Sequence, residues 1–412
     1  MERPDLESLV SGSLNARLDR GVARPLAVAL SGGGDSLALL LATKAWADGA
    51  GRRLVVLTVD HRLQAASAGW AAWCADRAAR LGIQHRTLTW DGETLATPAA
   101  ARVARHRLIA EAARAAGARV VLFGHTSDDV RESQLMRVGG VRVSSPDPWS
   151  PSPVWPEGRD LFIARPLLAV GRAEIRAWLA ARGETWIEDP ANANPAHPRA
   201  RARALLEEAE LEIGAEQGSS LTHALTATVG PAGDVRISGA APQPELSAAV
   251  ACASGDERPP RSAAVARLAS RLQAGVVAAT LGGARITREG EQLHVVREAG
   301  DARSRACAPL ALPAHETVVW DGRFEVTARG PTLTVAPLAG RSARLDPAAR
   351  RRLVEVPSFV RPSLPALIDA KGAVACPTLD EDPRLEIRNL VPGRLAGACG
   401  KIVHEAQIGL LG

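Results

Sequence analysis

The stretch Leu26-Ala27-Val28-Ala29-Leu30-Ser31-Gly32-Gly33-Gly34-Asp35-Ser36 decides the fold. Its apolar opening, Leu26 to Leu30, reads as a buried strand. Three glycines follow, then Asp35 and Ser36, then an Ala/Leu-rich helix predicted from Leu37 to about Ala47. A strand, a Gly-rich turn and a helix N-terminus together build an anion site. Glycines let the backbone approach a phosphate, free N–H groups point at it, and the helix dipole favours negative charge. Ser31, Gly32, Gly33, Gly34, Asp35 and Ser36 are therefore the candidate phosphate loop, with Asp35 able to hold a Mg²⁺ that bridges phosphate oxygens. A Walker A loop ends in Gly-Lys-Ser/Thr, and here the nearest lysine is Lys44. The glycines are consecutive, so the dinucleotide fingerprint is excluded as well. Ser-Gly-Gly-x-Asp-Ser instead matches the pyrophosphate loop of ATP pyrophosphatases, which split ATP between the α- and β-phosphates.

Outward from the loop, the pattern is alternating strand and helix. Residues 1–24 read as an amphipathic helical cap. A second strand, Leu54 to Val59, ends in Asp60-His61, where open α/β sheets place their ligands. Asp60 there can meet a ribose or an adenine amine, or simply hold a turn. A helix from Ser67 to Leu81 and a strand from His85 to Trp90 follow. Thr97-Pro98 opens a helix that carries Arg102, Arg105 and His106. A fourth strand, Val120 to Phe123, runs into Gly124-His125-Thr126-Ser127-Asp128-Asp129, with Ser127 predicted to cap the next helix. Glu132 lies three residues beyond Asp129, on the same helix face. A histidine and two carboxylates so converge where the ligand belongs, and paired carboxylates can hold either Mg²⁺ or a substrate ammonium. The segment from Val138 to Asp160 reads as a long loop, then a short strand from Leu161 to Ala164 and a helix from Arg172 to Ala181. Arg199, Arg201 and Arg203 would fan out around a helix. A helical segment from Leu205 to about Val229 is expected to lead out of this domain, toward short strands and helices with a hairpin over Ala284–Arg297.

The 412 residues suffice for two or three domains, and 46% apolar residues suffice for a sizeable core. No apolar run reaches the ~20 residues of a membrane span, and Met1-Glu2-Arg3-Pro4-Asp5 does not read as a signal peptide. Five scattered cysteines without a Cys-x-x-Cys point to a reducing cytoplasm, with no disulfide framework or structural zinc. A net charge of +5 is compatible with a polyanionic partner. Basic charge is almost all arginine, which suits bidentate phosphate contacts.

In order along the chain, these segments resemble the tRNA(Ile)-lysidine synthetase family of alphaproteobacterial type. The resemblance rests on Ser31–Ser36, on Val59-Asp60-His61 with Leu63 and Ser67, and on Ala101-Arg102-Val103-Ala104-Arg105-His106. It also rests on His125, Asp128, Asp129 and Glu132, on Arg165-Pro166-Leu167-Leu168, and on Asp189-Pro190-x-Asn192 with Arg199 and Arg203. His106 stands where the family has tyrosine, and Thr126 where it has a second histidine. The resemblance implies an α/β fold: a doubly wound, mostly parallel sheet of the adenine-nucleotide α-hydrolase-like PP-loop kind, then a smaller α+β C-terminal region. Three regions are expected: a catalytic ATP-binding domain over 1–215, an α+β tRNA-recognition region over 216–330 and a small C-terminal domain over 331–412.

The implied reaction joins free L-lysine to C2 of the wobble cytidine of a CAU-anticodon tRNA(Ile). ATP and Mg²⁺ are required, and the cytidine is adenylated first. The resemblance places ATP·Mg²⁺ on the loop, with Asp60 near the nucleoside and Arg105 at the α-phosphate. Asp129 and Glu132 would grip the lysine ammonium, Arg203 would meet its carboxylate or the adenylate, and His125 would accept a proton or orient. The oligomeric state is left open, a homodimer being one option. Rival readings are a tRNA thiolation enzyme, which would need paired cysteines although only Cys74 lies in the expected catalytic domain, and a glutamine-dependent amidotransferase, which would need a glutaminase domain. A third rival is a degenerate PP-loop protein that binds without turnover.

Overall fold

The computed structural model describes residues 5–62, 64–91, 97–141, 143, 145–190, 198–209, 226–239, 241–299, 308–330 and 333–410. The chain divides into two compact units. Unit 1 comprises Met1–Ser220 and Ile402–Ile408, and unit 2 comprises Leu221–Lys401 and Gly409–Gly412.

Unit 1 opens with helix α1 (Leu6–Asn15), strand β1 (Leu26–Ala29), α2 (Gly34–Ala50), β2 (Leu54–Asp60), α3 (Ser67–Arg80) and β3 (Gln84–Thr89). It continues through α4 (Pro98–Ala115), β4 (Val120–Leu122), α5 (Ser127–Val138), β5 (Trp149–Pro151), β6 (Phe162–Ala164), α6 (Arg172–Ala180) and α7 (Pro198–Ala209). The sheet order is β3-β2-β1-β4-β6-β5. Every pairing is parallel except that of β5 with β6. β1 and β4 lie side by side while their connections run to opposite edges, so the crevice at their carboxyl ends is a topological switch point. The doubly wound, mostly parallel sheet is therefore present. Parallel strands covered on both faces need apolar residues throughout, and Leu26, Ala27 and Val28 of β1 and Val120, Val121 and Leu122 of β4 are all buried. Ile109, Ala110 and Ala113 of α4 pack with Val55, Leu57 and Val121 on one face of the sheet. On helix α2, Leu37, Ala38, Leu39, Leu40 and Ala42 are fully buried.

Three details depart from expectation. α2 starts at Gly34, not Leu37, so Asp35 and Ser36 occupy its first turn. The long loop contains an edge strand, β5. The expected helix from Leu205 to Val229 ends at Ala209, residues 210–225 fall outside the described set, and Ala227–Val229 is a strand.

Unit 2 carries β7 (Ala227–Val229), β8 (Val235–Ser238), α8 (Gln243–Ser254), α9 (Ser262–Gln273), β9 (Ala278–Leu281), β10 (Ala284–Glu289) and β11 (Gln292–Arg297). β7-β8-β11-β10-β9 form an antiparallel sheet that shares its core with α8 and α9. The predicted hairpin is β10–β11, turning at Gly290 with φ +59°. The remainder holds β12 (Leu310–Leu312), β13 (Thr317–Trp320), β14 (Phe324–Ala328), β15 (Leu333–Pro337), α10 (Pro347–Glu355), β16 (Pro365–Ile368), β17 (Val374–Ala375), β18 (Leu385–Asn389) and α11 (Val391–Ala398). A break at 330 does not hold: β14 pairs with β18, and β12 with β15, across it. Trp320-Asp321-Gly322-Arg323-Phe324 is a structural corner of this unit. Arg323 is fully buried, and its guanidinium meets the Asp321 carboxylate and the carbonyls of Ala232 and Ser363.

Candidate active site

The loop joins β1 to α2 at the switch point. Ser31 N–H donates to Ser36 Oγ at 3.2 Å, and Ser36 Oγ donates to Gly33 O at 2.9 Å, which ties the two ends of the loop together. The N–H groups of the first turn of α2 have no partner within the helix, so they face the loop as donors. Gly32 has φ +87°, and a Cβ there would lie 2.4 Å from Ile187 Cδ1. Ile187 N–H donates to Gly32 O at 2.9 Å, so the chain around Trp186 and Ile187 backs the loop. Gly124 ends β4 against the other side: a Cβ on it would come within 2.9 Å of the Asp35 carbonyl oxygen.

β4 leads into α5 through His125 and Thr126. Thr126, not Ser127, is the N-cap. It is fully buried, and both its N–H (2.9 Å) and its hydroxyl (3.1 Å) donate to Asp129 Oδ2. That fixes Asp129 with its other oxygen, Oδ1, turned toward Arg172. Asp128 faces α6 instead, where its Oδ2 accepts the N–H of Arg172 at 2.7 Å.

At the centre is a side chain that the sequence reading passed over. Arg172 spreads its guanidinium over three carboxylates: Nη1 to Glu132 Oε1 at 2.6 Å, Nη2 to Asp129 Oδ1 at 3.0 Å and Nε to Asp35 Oδ2 at 3.3 Å. Arg203 Nε adds a second cation to Glu132 Oε1 at 2.9 Å. Glu132 Oε2 is buried and accepts no hydrogen bond from the described residues. Asp35, Asp129, Glu132 and Arg203 are therefore brought together. A signal for Arg172 did exist: directly after Gly171, it puts a cation in the first turn of a helix, where the dipole opposes it.

The electrostatics follow from burial and these ion pairs. Burial pushes the Asp35 carboxyl up, against the pull of Arg172. Asp129 is held below the usual carboxylate range: burial opposes this, but Arg172, His125 and the Thr126 N–H outweigh it. His125 is pulled down to about 3 by burial and by Arg165, Arg102 and Arg105, against Asp129. Its Nδ1 accepts from Arg165 Nε at 3.1 Å, so the neutral ring carries its proton on Nε2. Arg105 is pulled down to about 10 by burial, Arg102 and Arg199, and its buried Nε has no hydrogen-bond partner among the described residues. His106 stacks on Phe123 at 5.2 Å between ring centroids, and Phe123 on His125 at 5.9 Å. Asp60 ends β2 buried and holds a turn, accepting from the Arg62 N–H at 2.9 Å. Although burial raises its pKa, the bonds from Arg62 and Ser67 keep it low. Leu63 and Asn192 lie outside the described residues. Among the described residues no group of three or more His, Cys, Asp or Glu side chains is placed to hold a metal.

A PP-loop domain profile matches residues 7–209. The chain is 43% identical over 415 residues to a tRNA(Ile)-lysidine synthase from Caulobacter vibrioides, covering 96% of this chain and 98% of that one. It is 36% identical to a tRNA(Ile)-lysidine synthase from Hyphomonas neptunium, covering 74% and 90%. Among solved structures, a U34-tRNA thiolase from Methanococcus maripaludis aligns at TM-score 0.41 and 15% identity, over 50% of this chain and 73% of its own.

Proposed function

The chain belongs to the tRNA(Ile)-lysidine synthase family, and on that premise we propose how its own residues carry out ATP-dependent lysidine formation on tRNA(Ile). The observation that carries the proposal is the knot of Asp35, Asp129 and Glu132 around a cation, at the carboxyl ends of β1 and β4 beside the loop.

The backbone N–H groups of Gly32, Gly33 and Gly34 and the first turn of α2 hold the triphosphate of ATP. Mg²⁺ suits this place because it needs only one or two protein carboxylates beside phosphate oxygens. Asp35, in the first turn of α2, is the residue that would hold it, and the ion would offset phosphate charge. The 2-carbonyl oxygen of the wobble cytidine attacks the α-phosphate and pyrophosphate leaves. Arg105, a buried cation with a hydrogen-bonding nitrogen to spare, opposes the charge that builds on the phosphoryl oxygens. The ε-amine of lysine then attacks C2 of the activated base and AMP departs.

Asp129 and Glu132 place that amine. Thr126 presets the Asp129 carboxylate, and Glu132 Oε2, without a partner among the described residues, offers an acceptor to an ammonium. Arg203 stands beside Glu132, positioned for the lysine carboxylate or the adenylate. Of the two roles open to His125, orientation is the one that fits: a ring that protonates only near pH 3 is a poor base, whereas its Nε2–H can donate. Asp60 shapes the turn at the end of β2 on the nucleoside side. The cytidine must leave its stack to enter such a site, and the exposed arginines Arg258, Arg261, Arg267 and Arg271 of unit 2 give the tRNA backbone cationic contacts. Among the described residues no helix is long and apolar enough to cross a membrane.

The test is incorporation of labelled lysine into a CAU-anticodon tRNA(Ile) transcript with ATP and Mg²⁺, beside a tRNA(Met) control. Label on tRNA(Ile) alone is expected. Asp129→Asn and Glu132→Gln should raise the lysine KM at least about 100-fold, each removing a charge-assisted contact worth several kcal/mol, with the KM for ATP little changed. Folded, ATP-binding protein that labels neither tRNA would overturn the proposal in favour of a binding role.

A further inference from the structure

Arg172 occupies an unusual position. Asp129 and Glu132, the pair proposed to grip the lysine ammonium, already hold a cation that belongs to the chain. The same guanidinium reaches Asp35 beside the loop, and that contact, at 3.3 Å, is the longest of the three. Its anchor is firm, since the Arg172 N–H is bonded to Asp128 and the helix begins there. Its head is not sealed in: the side chain is 17% exposed, whereas that of Glu132 is 1% exposed. An incoming ammonium must therefore compete with Arg172 for oxygens that Arg172 approaches more closely than it does Asp35.

We propose that Arg172 is a positioning residue that keeps the lysine site closed until ATP is bound. Triphosphate on the loop arrives next to Asp35 with several negative charges. Phosphate is a preferred partner of a planar guanidinium, which binds it bidentately. Arg172 turns toward the phosphates and releases Asp129 Oδ1 and its share of Glu132 Oε1, which keeps Arg203. Asp129 Oδ1 and Glu132 Oε2 then form an acidic seat for one ammonium. Lysine so enters an ATP-loaded site, and the order in which the two ligands bind is built into a single side chain. By linkage the effect is reciprocal: whatever factor ATP adds to lysine affinity, lysine adds to ATP affinity. The proposal rests on the reading of Asp129 and Glu132 as the ammonium site.

The experiment is equilibrium binding of labelled L-lysine to the full chain, with and without a non-hydrolysable α,β-methylene ATP analogue and Mg²⁺. In the wild type the analogue should tighten lysine binding about tenfold or more, within the usual range of coupling between sites, and lysine should tighten the analogue equally. In Arg172→Gln, lysine should bind without the analogue, and the coupling should shrink to about twofold or less. Arg172→Lys, which keeps the charge but not the three-way fork, should fall between. The proposal is overturned if wild-type lysine binding is the same with and without the analogue, or is undetectable with it. Neither of those readings needs a variant to fold. Full coupling in Arg172→Gln also overturns it. Asp129→Asn and Glu132→Gln separate the two levels: if both bind lysine like the wild type, the ammonium-site reading itself falls. If they lose lysine while Arg172→Gln keeps its coupling, only the role of Arg172 falls.

Discussion

His106 and His125 flank Phe123 in a buried stack, and neither can hold a proton at neutral pH. Burial and the arginines of α4 pull His106 down to about 2 and His125 to about 3. An unfolded histidine titrates near 6.5. The folded values are depressed, so the stability they reflect is complete above about pH 6.5 and is lost as pH falls toward 3 and then 2. Each ring then costs roughly 1.4 kcal/mol per pH unit below 6.5. A cavity of about 10 Å³, no more than one water's worth, lined by His106, Ile109, Phe123, Ser152 and Leu161 adjoins the stack, so a phenyl ring fits with a small local shift. His106→Phe should therefore fold, and its stability should fall less steeply with acid, by about 1.4 kcal/mol per unit between pH 6.5 and 5. Denaturant unfolding of both proteins across that range is the measurement, and equal slopes would refute the assignment. The activity profile should meanwhile show no inflection near 6.5 from His125. At this scale much of the site was legible, because Asp129 and Glu132 are three apart on one helix and follow a strand end. Arg172 was not, because it arrives from another helix about forty residues later and no local spacing ties it to the acids.

Two glycines on and around α2 show how differently an element treats the same residue. Gly124 is where β4 touches the start of α2, with the Asp35 carbonyl oxygen 2.9 Å and Ser36 N 3.0 Å from any Cβ. Backbone cannot yield as a side-chain tip can. Gly124→Ala should push the first turn of α2 off the loop, costing about 1–3 kcal/mol as overpacking does and lowering ATP affinity more than about tenfold. Gly49 lies inside α2 with nothing within 4 Å. Gly49→Ala should stabilise the protein by up to about 0.5 kcal/mol, because it removes a glycine from the last turn of the helix and meets no neighbour. Calorimetric ATP binding and thermal melts of the two variants should move in opposite directions, and a neutral Gly124→Ala would show that the close approach is dispensable. The strands and helices of unit 1 were readable because each apolar run or periodic stretch carries its own signal. β5 was not: Trp149-Ser150-Pro151 is a three-residue edge strand ending in proline, and only its pairing with β6 defines it. The start of α2 lies three residues before the predicted one because Gly34 has a low helix propensity, yet it opens the first turn, directly after the N-cap Gly33.

At the scale of the molecule, the chain leaves unit 1, builds unit 2 and then returns seven residues, Ile402–Ile408, to unit 1. No sequence pattern could have announced this, because the partners are more than 350 positions apart. The return is fastened by Glu405, which binds Arg52 through both oxygens at 2.6 and 3.0 Å, with each side chain only 1% exposed. Arg52 also serves the carbonyls of Arg24 and Asp19, while the Glu405 N–H donates to Arg17 O and Trp149 Nε1 donates to Ile402 O. A buried ion pair is weak evidence of net stability, but removing one partner strands the other charge, at about 3–5 kcal/mol. Glu405→Leu should therefore be strongly destabilising. Arg52→Met with Glu405→Leu removes the stranded charge yet leaves two carbonyls without their donor, at about 1–3 kcal/mol each, so its recovery should be partial. Equilibrium unfolding of the two single variants and the double variant should thus give a double-variant loss at least about 1 kcal/mol smaller than the sum of the singles. Simple additivity would mean that the pair does not act as a unit. Ending the chain at Lys401 should then weaken ATP binding although every loop and acidic residue remains, because Arg52, just ahead of β2, and Trp149 of the edge strand β5 lose their partners Glu405 and Ile402. Normal ATP affinity in that truncation would show that unit 1 closes without its returning strand of chain.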